Sequence, residues 1–192
     1  MSLLVLGIVI WSLIHFIPSV AVNFRSRMVQ RAGIVAYKGI FGAVIVASML
    51  CVVYGWKAAS IEPVFTPPVW GAHVTVALTF FAFVLLFAPY MENSFSRILR
   101  HPQLSGVFLW AVGHLFSSGE KRAVVLFAGF AVWAILEIGL INRREGAWTK
   151  PAPASLMANF RLLLTGAGFF ALFLYTHNWL FGVGALPNPP AG

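Results

Sequence analysis

Residues 3–21 read LLVLGIVIWSLIHFIPSVA and contain no Asp, Glu, Lys or Arg. As a helix rising ~1.5 Å per residue, this stretch covers roughly the ~30 Å of a bilayer's hydrocarbon core. Five more apolar stretches follow, at 38–56, 70–90, 103–119, 122–142 and 158–183. Inside hydrocarbon no water is present to satisfy backbone N–H and C=O groups, so only helices and closed barrels can cross it. Runs of about 20 mostly apolar residues have the length of spanning helices. The expectation is an all-α, polytopic membrane helix bundle with about six transmembrane helices, forming a single domain over 1–192.

Composition agrees. The chain is 60% hydrophobic and 9% charged, where a soluble domain carries about 25% charge. The first stretch runs directly into VNFRSR with no A-x-A cleavage pattern, so it is expected to be a retained helix. The fourth stretch is the shortest. It reads either as a full span or as a buried, partly re-entrant helix. The short connection at Gly119–Arg122 suggests that it pairs with the fifth as a hairpin. Pro67 and Pro68 suit the start of the third helix. KPAPAS, residues 150–155, is a linker before the last helix, and the tail LPNPPAG, residues 186–192, is expected to be loose. Gly39, Gly42, Gly129, Gly166 and Gly168 are expected to permit close helix packing.

The net charge of +8 is divided unevenly. Arg25, Arg27, Arg31, Lys38, Arg97, Arg100, Arg143, Arg144, Lys150 and Arg161 lie in one set of connections. Lys57, Lys121 and Arg122 lie in the other. By the positive-inside rule the first set is cytoplasmic and both termini face outward. Such interhelical cations explain the basic balance without nucleic acid, so the expected contacts are with membrane lipid. Cys51 is the sole cysteine, which excludes a disulfide framework or a cysteine cluster within one chain.

Titratable groups in the apolar stretches are the functional candidates, because burying them in lipid is costly. His15 lies ~18 Å from the outer edge and His114 ~16 Å from the inner edge, by helical rise. In a core of ~30 Å, both are near the midplane. His73 and His177 form an outer pair, and His101 lies near the inner surface. Two neutral imidazoles at one depth suit axial ligation of a haem iron, or a site for another metal. No C-x-x-C-H is present to attach haem covalently, and no H-E-x-x-H suggests a zinc protease. Glu137 is the acidic residue within a span. It is expected to pair with Arg100, His101 or Arg143 near the inner surface, with proton transfer as the sharper alternative.

RHPQLSGVFLWAVGHL, residues 100–115, resembles the signature of the NnrU family. LIHFIPS (13–19), YKGIFG (37–42) and TPPVWGAH (66–73) extend the resemblance, which covers residues 3–145. It implies a bacterial membrane protein associated with denitrification and the handling of nitric oxide and nitrite; with the charge count above, the expected place is the inner (cytoplasmic) membrane with both termini periplasmic. The same pattern is similar to zeta-carotene isomerase, a family that binds haem b through two histidines and isomerises a cis double bond in a carotene. That similarity implies His15 and His114 as the metal ligands and a lipophilic polyene as substrate, whereas the NnrU resemblance implies nitric oxide as a partner, or a non-catalytic role beside a membrane reductase. One departure is Ala111, which stands where the isomerase has a cysteine implicated in a ligand switch. Isoprenylcysteine methyltransferases also carry an RHP-type motif. In that alternative Arg100, His101 and Glu137, followed by Arg143, Arg144 and Glu145, would bind S-adenosylmethionine at the cytoplasmic side.

Overall fold

The computed structural model describes residues 1–186. All regular structure among them is helical: α1 (Ser2–Val20), α2 (Val22–Ala58), α3 (Gly71–Phe87), α4 (Pro102–Ser117), α5 (Lys121–Glu145) and α6 (Leu156–Phe181), with single 3-10 turns at Ala88–Tyr90 and Phe95–Arg97. Five helices are long and apolar enough to cross a membrane: α1, α2, α3 with its following turn, α5 and α6. The protein is therefore an all-helical, multi-pass membrane protein. The exception, α4, has 16 residues and reaches only ~24 Å. Apolar side chains point outward along the long helices. Leu156 is 90% exposed and Trp179 84% exposed, which suits helices surrounded by lipid rather than water. Apart from Leu186, the tail expected to be loose lies outside the described residues.

Contacts divide the chain into two units, Met1–Val64 with Glu120–Ala147, and Phe65–Gly119 with the residues from Trp148 onward. In the first unit, α1 packs on both α2 and α5. The turn from α1 into α2 is a single residue, Ala21, whose N–H bonds the Ile17 carbonyl. Residues 22–32, expected to form a loop, are helical instead. The helix breaks at Gly33, where φ is 82° and ψ is 158°, a conformation that a Cβ disfavours. The break separates a basic helical segment from the apolar span beyond it. The α1–α2 contact rests on two glycines that the sequence reading passed over. A Cβ on Gly7 would stand 2.7 Å from the Val52 nitrogen, and one on Gly55 would overlap the Leu4 backbone. Gly129 of α5 does serve as expected, against Ile8. Among the described residues Gly39, Gly42 and Gly168 meet nothing within 4 Å, so they do not serve helix packing there. Periodicity could not separate these groups, because the relevant quantity is how closely another backbone approaches.

The second unit joins α3, α4 and α6, with α3 packed on both others. A Cβ on Gly71 would overlap the Phe116 carbonyl, one on Gly106 would stand 2.9 Å from the Ala82 oxygen, and one on Gly166 would stand 2.7 Å from the Val84 Cα. Val84, Ala88 and Leu162 form the buried core, covered by Phe80, Phe87, Met91 and Phe95. The α3–α4 connection is stapled by Asn93, whose side-chain nitrogen donates to the Ala88 and Met91 carbonyls at 2.7 Å. The KPAPAS linker ends as expected: Ser155 caps α6 by accepting from the Ala158 N–H at 3.1 Å. Within its own unit α4 packs on α3, and within the other α5 packs on α1.

Candidate functional site

His15 belongs to the first unit and His114 to the second, and each is built the same way. The Nδ1 of His15 lies 2.7 Å from the carbonyl of Trp11, one turn earlier in α1. The Nδ1 of His114 lies 2.8 Å from the carbonyl of Trp110, one turn earlier in α4. A carbonyl only accepts, so in both cases Nδ1 must carry the hydrogen. In the neutral ring the lone pair is then on Nε2, the arrangement of a ligating histidine oriented by a backbone carbonyl. The tryptophan rings lie over the imidazoles, with centroids 4.3 Å apart for Trp11 and His15 and 5.3 Å apart for Trp110 and His114. The sequence reading missed this W-x-x-x-H spacing, WSLIH at 11–15 and WAVGH at 110–114, although both copies were visible.

Around His15 the walls are aromatic. Trp133 of α5 meets its ring edge-on at 5.1 Å, and Phe41 of α2 does so at 5.7 Å. Trp11 contacts Phe130 and Trp133, each at 5.6 Å. Rings in these tilted and T-shaped arrangements hold one another's rotamers. Near His114 the second unit brings backbone close instead. The Thr75 hydroxyl donates to the Gly113 carbonyl at 2.7 Å, and a Cβ on Gly113 would stand 3.2 Å from the Leu78 Cβ.

The outer histidines are built differently. His73 is exposed in the first turn of α3. His177 bonds the Val183 carbonyl at 2.8 Å, beyond the end of its own helix, and packs on Phe181. Arg100 and His101 open α4. His101 is the N-cap, its carbonyl accepting the Ser105 N–H at 3.0 Å, and Pro102 takes the first helical position. The RHP motif thus has a local role as a helix start. Glu137 is only 6% exposed and accepts a hydrogen bond at 2.8 Å from Ser19 of α1. Ser19 was not legible as the partner, because 118 residues separate the two. No group of three or more His, Cys, Asp or Glu side chains suited to a metal occurs among the described residues.

In comparisons with known proteins, the family described as NnrU protein matches residues 3–185, nearly the whole chain. No curated protein and no solved structure matches.

Proposed function

The chain belongs to the NnrU family, and from that premise we propose that it binds one b-type haem through His15 and His114. The observation that supports this is the construction shared by the two side chains: each imidazole has its Nδ1 at a carbonyl one turn back, which in the neutral ring makes Nε2 the lone-pair nitrogen. That donor set fits haem iron. It suits a tetrahedral structural zinc poorly, since four protein ligands would be needed. Bound by two histidines, haem b supplies one-electron redox chemistry.

The protein's own groups prepare the site. The Trp11 and Trp110 carbonyls choose the tautomer. Trp133 and Phe41 wall the His15 ring and keep water from it. Ala111 offers no thiol near His114, so His/Cys exchange at that position is outside this reading. The resemblance supports two uses for such a site. One is the handling of nitric oxide or nitrite in denitrification, alone or beside a membrane reductase. The other is redox-dependent isomerisation of a lipophilic polyene. The uneven basic residues support a bacterial inner-membrane location with both termini periplasmic. Opposite charges near one surface should pair, which supports grouping Arg100 and His101 with Glu137.

The test compares dithionite-reduced absorption spectra of the wild type with His15→Ala, His114→Ala, His73→Ala and His177→Ala, all expressed with haem supplied. The first two should lose or shift the haem bands, and the last two should keep them. Loss in the outer pair alone moves the metal to His73 and His177. Wild-type protein that contains no haem but binds S-adenosylmethionine overturns the reading in favour of a methyltransferase.

A further inference from the structure

A cleft of about 610 Å³ opens in the first unit where α1 ends, α2 breaks and α5 ends. Pro18 and Phe41 contribute apolar wall, Tyr37 lines it, and Arg25, Lys38 and Arg144 bring three cations. The three come from separate places: the first turn of α2, the span beyond the Gly33 break, and the last turn of α5. The Arg25 guanidinium lies 5.7 Å from the centre of the Tyr37 ring. Arg144 donates to the Pro18 carbonyl and to Glu145, each at 2.8 Å, which holds it at the cleft. Among the described residues neither Arg25 nor Lys38 meets a carboxylate. The Tyr37 hydroxyl is buried without a hydrogen-bond partner.

The other end of the same unit is the internal control. There Lys121 pairs with Glu62 at 2.9 Å, and Arg122 pairs with Glu120 at 2.7 Å while lying over Trp56. Two of its three cations are therefore paired by the chain, Lys57 being the third, whereas among the described residues neither cation that α2 brings to the cleft meets a carboxylate. A donor such as the Tyr37 hydroxyl, buried with no acceptor, carries an uncompensated desolvation cost until one arrives.

We infer that this cleft binds the phosphate of an anionic phospholipid headgroup. Guanidinium, ammonium and phenol together are a donor set for phosphate oxygens. Clefts of this volume are in the range that holds small ligands, and basic pockets between membrane helices suit anionic headgroups. Exposed apolar side chains favour lipid over free phosphate: Val22, which lines the cleft, is exposed, as are Ile34, Val35 and Ile40 on the same helix, and acyl chains would cover them. This inference uses neither His15 nor His114, so it stands or falls separately from haem binding.

The experiment measures the melting temperature of the purified full chain in neutral detergent, titrated with phosphatidylglycerol, phosphatidylcholine or inorganic phosphate. Phosphatidylglycerol should raise it saturably, and the other two should not. Arg25→Gln with Lys38→Gln should weaken the half-saturating concentration at least tenfold. Tyr37→Phe, a smaller change that preserves the fold, should weaken it severalfold. Lys57→Gln should leave it unchanged. An equal rise with inorganic phosphate makes the ligand free phosphate and overturns the lipid assignment. So does an unchanged phosphatidylglycerol response in both cleft variants. Loss of haem bands from Tyr37→Phe with its lipid response intact assigns the cleft to the haem site and also overturns the inference.

Discussion

WSLIH in α1 and WAVGH in α4 have the same local chemistry and different surroundings. In each, a tryptophan carbonyl one turn back takes the imidazole hydrogen. Across the first unit His15 meets large rings, Trp133 and Phe41. In the second, α4 meets the backbone of α3 through glycine, at Gly106 and Gly113. Within its unit His15 meets interlocking aromatic side chains, and within the other the helix that carries His114 is pressed against its neighbour. In lipid, where apolar burial between helices gains little, these are the two available routes to rigidity: shape-matched side chains or small residues that let backbones touch. A tautomer can be set locally, whereas ring position needs the rest of the unit.

The largest effect expected from separating the two routes is at the glycines. Gly71→Ala should destabilise by about 3 kcal/mol, because the atom it meets is the Phe116 carbonyl, which cannot rotate away. Gly55→Ala should do the same in the first unit, against Leu4. Gly168→Ala, with open space around it, should be near neutral. Unfolding titrations in mixed detergent would rank the three. Equal values would show that backbone approach is not what holds either unit.

Next comes the aromatic wall. Trp133→Leu removes the ring contacts to Trp11, His15 and Phe130. The loss should be about 1–3 kcal/mol, from the two aromatic pairs, with Trp11 and Phe130, of ~0.5–1.5 kcal/mol each. Its counterpart, Thr75→Val, removes the hydroxyl bond to the Gly113 carbonyl and should cost about 0.6 kcal/mol, a typical value between membrane helices. If Thr75→Val proves the costlier, the hydroxyl and not the close backbone approach positions α4.

The smallest effect is expected at the exposed connection before α3. The Ser60 hydroxyl, and then Lys121, hold the Glu62 carboxyl below its ordinary range. A carboxylate depressed in the folded state stabilises it above the unfolded carboxylate range, and that contribution is lost as pH falls through the folded value. Glu62 is fully exposed, so screening leaves little of it. A melting profile from neutral pH down through the carboxylate range should therefore nearly superimpose for wild type and Glu62→Gln. Divergence at neutral pH that closes on acidification would mean that the Glu62–Lys121 pair holds the two chain ends of the unit together.

What the chain determined by itself was mostly one-dimensional. Lengths of uncharged sequence set the helices, because a backbone in lipid has no other way to satisfy its polar groups. Ser155 and Pro102 marked helix starts through local capping and missing donors. The tautomers of His15 and His114 were also legible in principle, since Trp11 and Trp110 are one turn away on the same helix. Tertiary structure decided the rest. It gave α4 to α3 and α5 to α1, separated Gly7, Gly55 and Gly71 from the idle Gly39 and Gly42, and brought Ser19 to Glu137. It also joined Arg25, Lys38 and Arg144 at one cleft. Hydropathy cannot report any of these, because lipid-facing and helix-facing surfaces are equally apolar here. Only the fit of one helix against another distinguishes them.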